Sequence, residues 1–300
     1  MAEPSPTQKD LFATNASEAG PARKEALRGG RPLQRSRSGV GKWLVEAGDA
    51  VVSVFFPAGC RICEGLLTRA SRVPICEECL RSFEALPERI CDVCGSPLLA
   101  GFWGVQGGVD ERLVCRLCAD KTYAFDRARS YAVYEGALVR AILLLKFENM
   151  EPLGAWFAGR LAEVVRGDAE ALEADVVVPV PLHRDRERER GYNQADLIAR
   201  PLAKRLKLPH KAVLLMRTRP RPDKQVLSLE ERWESVRGAF ATRPGSQVDK
   251  LRVLLVDDVL TTGATLDACA RALREAGAKS VIGLTVARAM RNPTPGSGES

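Results

Sequence analysis

From Phe125 onward the chain alternates short apolar runs with longer stretches of helical period. Residues 128–134 predict a strand, 137–147 and 153–165 predict helices, and 175–180 predict a strand buried on both faces. Over 193–206, Leu197, Ile198, Leu202 and Leu206 recur at helical spacing and predict a helix lying against a sheet. Residues 212–216 predict a further strand, and the polar, Pro-rich stretch 217–230 predicts a mobile loop. The most informative run is LRVLLVDDVLTTGAT, residues 251–265. Leu251 and Val253 to Val256 predict a buried parallel strand, ending where Asp257 and Asp258 stand. A helix follows over 264–276, with Leu266, Cys269, Ala270 and Leu273 on its apolar face, and 279–287 predict the last strand. This alternation predicts an α/β fold, a parallel sheet with helices on both faces. Ligands in such sheets bind beyond the carboxyl ends of the strands, near the switch in strand order. The loops after Val180 and Val256 both lie on that edge.

The segments outside this pattern differ in kind. Residues 1–41 are rich in Ala, Gly, Pro, Ser and Arg without apolar periodicity and predict a disordered basic tail. Trp43, Leu44, Val51, Val52, Val54, Phe55 and Phe56 predict a short amphipathic helix ending at Pro57. Eight of the nine cysteines then fall as four C-x2-C pairs, Cys60/Cys63, Cys76/Cys79, Cys91/Cys94 and Cys115/Cys118. Two such turns supply the four thiolates of a tetrahedral Zn²⁺ site. Pairing neighbours gives two structural zinc sites, and spacing alone leaves an interleaved arrangement open. Few large apolar residues accompany these turns, so metal must hold the module together, and four pairs exceed what a dithiol redox site needs. Aromatic and clustered basic residues are sparse there, which suits a scaffold or docking piece better than a nucleic-acid reader. The expected organisation is a tail (1–41), a short helix plus double zinc ribbon (42–121), an α/β domain (122–290) and a second tail (291–300).

Composition narrows the class. With 45% hydrophobic residues in 300, the chain can bury a sizeable core plus a smaller module. A net charge of +7 and a pI near 9.0 suit anionic partners, phosphorylated metabolites or nucleic acid alike. No apolar stretch reaches membrane-span length, and Asp10 and Glu18 interrupt any secretory pattern. Paired cysteines of metal-ligand spacing add to this, and the expected compartment is the cytoplasm.

Candidate chemistry gathers at the 251–265 run. Two ionised groups beside a buried strand are costly unless they bind something. Thr261, Thr262, Gly263, Ala264 and Thr265 form a hydroxyl-rich turn into a helix N-terminus, where unpaired N–H groups and the helix dipole face one anion. Acids beside a phosphate cradle suit a sugar phosphate: carboxylates take the ribose hydroxyls and the turn takes the 5′-phosphate. The second candidate stretch is VVVPVPLHRDRERERGYNQA, residues 176–195. Its loop carries Arg184, Arg186, Arg188 and Arg190, whose guanidinium forks suit phosphate or pyrophosphate oxygens. Alternation with Asp185, Glu187 and Glu189 predicts that two or three of them form a solvated, self-neutralising face. His183 reads equally as a base or as a capping residue.

VLLVDDVLTTGAT resembles the 5-phosphoribosyl 1-pyrophosphate (PRPP) motif of type I phosphoribosyltransferases. Together with the four C-x2-C pairs, Y-x-G-x5-I-x2-LKF from Tyr134 to Phe147, VPVPLH with RERGYNQA, QVLS from Gln225 and RGAF from Arg237, it resembles the ComF family over about residues 43–288. The resemblance implies a double zinc ribbon followed by a type I phosphoribosyltransferase fold, and in some members a role in natural transformation. Carried over by position, Asp257 and Asp258 hold the ribose hydroxyls, and Thr261, Thr262, Gly263, Ala264 and Thr265 hold the 5′-phosphate. Arg190 meets pyrophosphate, and Lys224 and Gln225 sit on the loop that closes over the site. The implied reaction displaces pyrophosphate at the anomeric carbon with Mg²⁺ present, the acceptor being open. Members often carry Asn where this chain has Ser235, so a contact near the mobile loop differs. Enzymes acting on 6-oxopurines place an Asp at the position of Thr261, which is absent here. Residue 2 is Ala and the first cysteine is Cys60, so a glutaminase domain of the amidophosphoribosyltransferase kind is not expected. Three functions follow: a transferase, a non-catalytic PRPP-fold sensor or scaffold in DNA uptake, or a zinc-ribbon single-stranded DNA-binding factor. Expected partners are PRPP or another phosphorylated ribose, and DNA-uptake proteins or single-stranded DNA. Related phosphoribosyltransferases often dimerise, which leaves a homodimer open.

Overall fold

Val253, Leu254, Leu255 and Val256 are wholly shielded from solvent, which places β5 (Arg252–Leu260) inside a four-stranded sheet. Its neighbours are β6 (Ser280–Arg288) and β2 (Val176–Pro179), and β1 (Arg127–Val133) lies beyond β6. All three pairings are parallel. β5 runs further than its apolar core: Asp257 pairs with Thr285 and Leu260 with Arg288. The acids therefore stand within the strand, because β6 is equally long and supplies partners past them. The computed structural model describes residues 59–67, 72–98, 113–120, 123–170, 172–220 and 228–290, all belonging to one compact unit, Ala47–Ser300. The expected tails, the helix near 43–57, Lys224 and Gln225 lie outside the described residues. Among the described residues no helix is long and apolar enough to cross a membrane.

Alternate strand residues point to opposite faces, and both faces are covered. Leu254, Val256, Ile282 and Leu284 pack on α3 (Gly136–Phe147), α4 (Glu151–Gly167) and α6 (Gln194–Leu206). Gly154 lets α4 come close to α6, since a Cβ there would lie 2.7 Å from the Leu197 carbonyl oxygen. Val253, Leu255 and Val281 pack on α8 (Ala264–Glu275) and on a separate two-stranded ribbon. That ribbon pairs β3 (Leu215–Arg217) antiparallel with β4 (Phe240–Thr242), and α7 (Leu229–Glu234) lies between them in sequence. The strand expected over 212–216 thus lies off the main sheet, held there by Leu215 and Phe240 buried in this second core. The arginine-bearing loop after Val180 is likewise a short helix, α5 (Arg184–Arg190). His183 caps its start, Gly191 closes it in the left-handed conformation, and Arg188–Asp185 pairs three residues apart support it.

The cysteine module includes α1 (Glu77–Arg81) and α2 (Arg116–Ala119) and joins the sheet at the β1 edge. Ala85 pairs antiparallel with Ala132, the Val133 amide donates to Glu84 (2.8 Å), and the Ala128 amide donates to Val93 (2.7 Å). Cys60, Val73, Ile75, Cys79 and Phe83 share one apolar core with Leu138, Phe157 and Leu161. Phe83 is the main wedge, edge-on to Trp156 at 5.6 Å and stacked beside Phe157 at 6.5 Å. Phe83→Ala is expected to cost about 3–5 kcal/mol, the range for emptying a buried aromatic site. Urea denaturation followed by tryptophan fluorescence reads this, and a cost under about 1 kcal/mol would show that module and sheet do not share a core.

Candidate functional site: an acidic strand end facing a phosphate-type turn

The carboxyl ends of β2 and β5 open into a cavity of about 1120 Å³, lined by Lys146, His183, Arg190, Asp257, Asp258, Thr261, Thr262, Ala264 and Thr265 among others. The Val180 amide donates to the Val256 carbonyl (2.8 Å), which joins the two loops at this edge as the alternation predicts. Asp257 and Asp258, adjacent on a strand, reach the cavity from opposite faces of β5. Asp258 is buried, and its Oδ1 meets Lys146 Nζ of α3 at 2.6 Å. Its Oδ2 has no hydrogen-bond partner among the described residues. An unpaired buried carboxylate oxygen is costly, and a hydroxyl or a hard cation at this position would relieve it. Asp257 lies on the α8 side, its Oδ1 accepting the Asp258 amide at 2.8 Å. Burial and the neighbouring Asp258 charge push its carboxyl up to about 7, against the pull of that amide, Lys146 and Arg217.

The turn that follows has an unusual backbone and open amides. Gly263 has φ +84°, which a side chain would strain, and a Cβ would also stand 3.1 Å from the Tyr123 ring. Thr262 Oγ1 accepts the Ala264 amide at 3.2 Å, and the Tyr123 hydroxyl donates to the Thr262 carbonyl at 3.4 Å. Among the described residues the amides of Thr262, Gly263, Thr265 and Leu266 have no acceptor. They open α8, whose dipole adds partial positive charge at the same place. Across the cavity, Arg186 and Arg190 face inward, whereas Arg184 and Arg188 do not line it. Arg190 lies over the Phe147 ring at 5.1 Å and hydrogen-bonds Gln194. Burial lowers its affinity for the proton, and Asp258 offsets part of that. The His183 ring nitrogen Nδ1 accepts the Asp185 amide at 3.4 Å, which is a capping role. Ser235 lines the cavity with its hydroxyl donating to the Arg232 carbonyl at 2.9 Å.

Lys146 of the LKF motif lines the cavity, yet nothing in the sequence marks it as a site residue. On an apolar helix a single terminal Lys reads as a solvated C-terminal charge. Arg217, another lining residue, sat in the expected loop, and only the β3–β4 ribbon brings it over the cavity, with its guanidinium above the Phe240 ring at 5.2 Å.

The eight paired cysteines form two groups, Cys60, Cys63, Cys76, Cys79 and Cys91, Cys94, Cys115, Cys118. This settles the pairing in favour of neighbours. Sulfur–sulfur distances of 3.9, 3.7 and 3.8 Å (Cys60–Cys79, Cys63–Cys76, Cys94–Cys115) suit a tetrahedral ion at a Zn–S length of about 2.3 Å. Backbone amides of Ile62, Cys76, Cys79 and Cys115 point at ligand sulfurs at 3.3–3.4 Å, which supports thiolate charge.

Comparison with known proteins agrees with this geometry. The phosphoribosyl transferase domain family matches residues 194–295. Competence protein F of Haemophilus influenzae is 29% identical over 240 residues, covering 78% of this chain and 99% of that protein. The DNA utilization protein YhgH of Salmonella typhimurium is 30% identical over 230 residues, covering 75% of this chain and 94% of the relative. The chain belongs to the ComF family. As a ComF member it joins two four-cysteine groups that fit a double zinc ribbon to a type I phosphoribosyltransferase fold. Among solved structures, the glutamine PRPP amidotransferase of B. subtilis with ADP and GMP is 24% identical with a TM-score of 0.30, covering 44% of this chain and 26% of that one. At that score the fold of this ComF member rests on its own strand order and on the family match.

Proposed function

We propose that this chain binds PRPP with Mg²⁺ and transfers its phosphoribosyl group to a nitrogen acceptor, in a role linked to DNA uptake. The observation that carries the reading is the buried, half-satisfied Asp258 beside Asp257, set across one cavity from the open amides of the 262–266 turn. Carboxylates fit the ribose hydroxyls, the turn fits the 5′-phosphate, and Arg190 fits pyrophosphate oxygens. Lys224 and Gln225, outside the described residues, are assigned to the closing loop by the family resemblance alone. The carboxylate oxygens are also hard donors suited to Mg²⁺, which when bound neutralises charge on pyrophosphate. In the transfer the anomeric C–O bond breaks, pyrophosphate leaves with the electron pair, and the acceptor nitrogen forms the new bond and releases a proton. Positive charge grows on the ribose ring as that bond breaks. Asp257 and Asp258 face that charge, and the 2.6 Å contact with Lys146 orients Asp258, so no nucleophilic side chain is required. Zinc at the two four-cysteine groups fits a structural role in a cytoplasmic protein.

A second reading, a PRPP-binding sensor or scaffold without turnover, is favoured by the relatives' names, which speak of competence and DNA utilization rather than of a transfer. Calorimetric titration with PRPP and Mg²⁺, then a pyrophosphate-release assay over a panel of bases and amines, separates the two. Binding with release for one acceptor is the expected result. Binding without release moves the weight to the sensor, and no binding removes both.

Protonation gives a further test. Ribose hydroxyls donate to an ionised carboxylate, and Asp257 takes its proton near pH 7. Affinity should therefore rise with pH up to about 7 and then level, by as much as about tenfold per unit on the acid side. Stability of the ligand-free protein runs the other way. The native carboxyl keeps a proton that the unfolded chain has released, so stability falls as pH climbs from the ordinary carboxylate range towards 7. Calorimetry across pH 5.5–8.5 reads the first effect, and a flat affinity profile would count against Asp257 as a ribose contact.

A further inference from the structure

Arg288, the last residue of β6, is 4% exposed and carries a charge that proteins do not remove. Its Nη1 donates to the carbonyls of Leu260 (2.9 Å), Thr261 (2.6 Å) and Ala289 (3.1 Å), and its Nη2 stands 3.8 Å from Cys94 Sγ. No carboxylate pairs with it among the described residues, and its Nε has no partner there. A buried cation needs an anion. The group at hand is the second four-cysteine cluster, which carries two net negative charges when four thiolates hold one Zn²⁺. The same guanidinium thus touches a metal ligand on one side and, on the other, the two carbonyls that lead into the phosphate turn. A second anchor holds the cluster in place: buried Arg129 of β1 donates to the Asp92 carbonyl at 3.0 Å, between Cys91 and Cys94.

We propose that Arg288 is a positioning residue that couples the second four-cysteine cluster to the phosphate turn, so that metal at Cys91, Cys94, Cys115 and Cys118 and a 5′-phosphate at Thr261–Thr265 strengthen each other's binding. The inference rests on the phosphate assignment of that turn. Dismantling the cluster leaves Arg288 without a counter-charge in a dry site, so its side chain must seek water and release Leu260 and Thr261. The peptide unit between Thr261 and Thr262 then loses the tether that aims the open amide of Thr262. Linkage makes the effect reciprocal: whatever factor metal adds to phosphate affinity, phosphate adds to metal affinity. Among the described residues the first cluster has no comparable link, since Arg288 contacts Cys94 and none of Cys60, Cys63, Cys76 or Cys79.

The test uses the full chain loaded with ¹¹³Cd in both clusters, with ribose 5-phosphate as the probe. Two cadmium resonances are expected, the second cluster's being identified through coupling to the Cys94 β-protons. Ribose 5-phosphate should shift that resonance, leave the other in place, and slow cadmium extraction from the second cluster by a chelator. Arg288→Gln should keep both metals and weaken ribose 5-phosphate about tenfold, and Arg288→Lys should restore part of the loss. If the unsubstituted protein binds ribose 5-phosphate but neither resonance moves, the coupling is overturned, whatever becomes of the variants. Arg288→Gln with both metals in place and unchanged affinity overturns it equally. No binding of ribose 5-phosphate by the unsubstituted protein overturns both this inference and the phosphate assignment beneath it.

Discussion

Replacing Asp257 and Asp258 together by Asn is expected to reduce PRPP affinity by roughly 10²–10⁴-fold without unfolding the chain. Hydrogen bonds to charged groups contribute about 1.5–3 kcal/mol each, so losing two costs about 3–6 kcal/mol, which sets that range. Asn keeps the shape and one acceptor oxygen, so the change isolates charge. The fold should survive because the carboxylates add little to it. Asp257 is held protonated up to about 7 by burial and its neighbour, and Asp258 leaves one oxygen unpaired. Lys146 loses its partner in the variant, but its side chain keeps partial access to water. Calorimetry gives the affinity and circular dichroism confirms folding. Undiminished binding in the folded double variant would remove these acids from the site.

The second large effect is on stability. Stripping metal from both four-cysteine groups is expected to lower the melting temperature of the whole described unit by about 10 °C, in one transition. Structural zinc contributes about 10–16 kcal/mol in isolated finger peptides, far more than a module with so small a core could replace. Here the loss cannot stay within the module. Cys60, Cys79 and Phe83 belong to the core that includes Leu138, Phe157 and Leu161, and Ala85 is paired to β1. For a chain of this size about 1 kcal/mol corresponds to roughly 2–4 °C, so a loss of only about 3–5 kcal/mol suffices. Scanning calorimetry with and without a strong chelator measures it. A separate early transition, with the main one unmoved, would mean that the ribbon folds and unfolds alone.

Much of this was legible in the chain. The buried strands and the helices after them announced themselves through apolar period, and residues 137–147, 264–276 and 279–287 lie within a residue of α3, α8 and β6. What failed was long-range or purely polar. RDRERER has no apolar face, so its helix is held by caps and ion pairs that periodicity does not register. Residues 215–217 find their partner at 240–242, and a three-residue ribbon across so long a loop leaves no local trace. At the site, the acids and the hydroxyl turn were evident because costly groups follow an apolar run. Lys146 and Arg288 were not, since a cation at the end of a helix or strand is ordinary until the fold shows what it faces. The cysteine pairing needed coordinates for a similar reason: spacing fixes two sulfurs at a time, and only the chain path brings pairs together.

The attachment of Glu84, Ala85 and Val93 to β1 also bears on where this protein can be cut. A strand with open amides and carbonyls on one side is a template for another chain. Were the portion from residue 122 onward made alone, β1 would present Ala128, Ala132 and Val133 to solvent along a bare edge, and self-association would compete with folding. The opposite edge is shielded differently, among the described residues by one bridge of His210 to Val177 beside β2. The cysteine-rich segment is therefore less an ornament on the α/β fold than its selvedge, the finished border that keeps a parallel sheet from fraying into its neighbours.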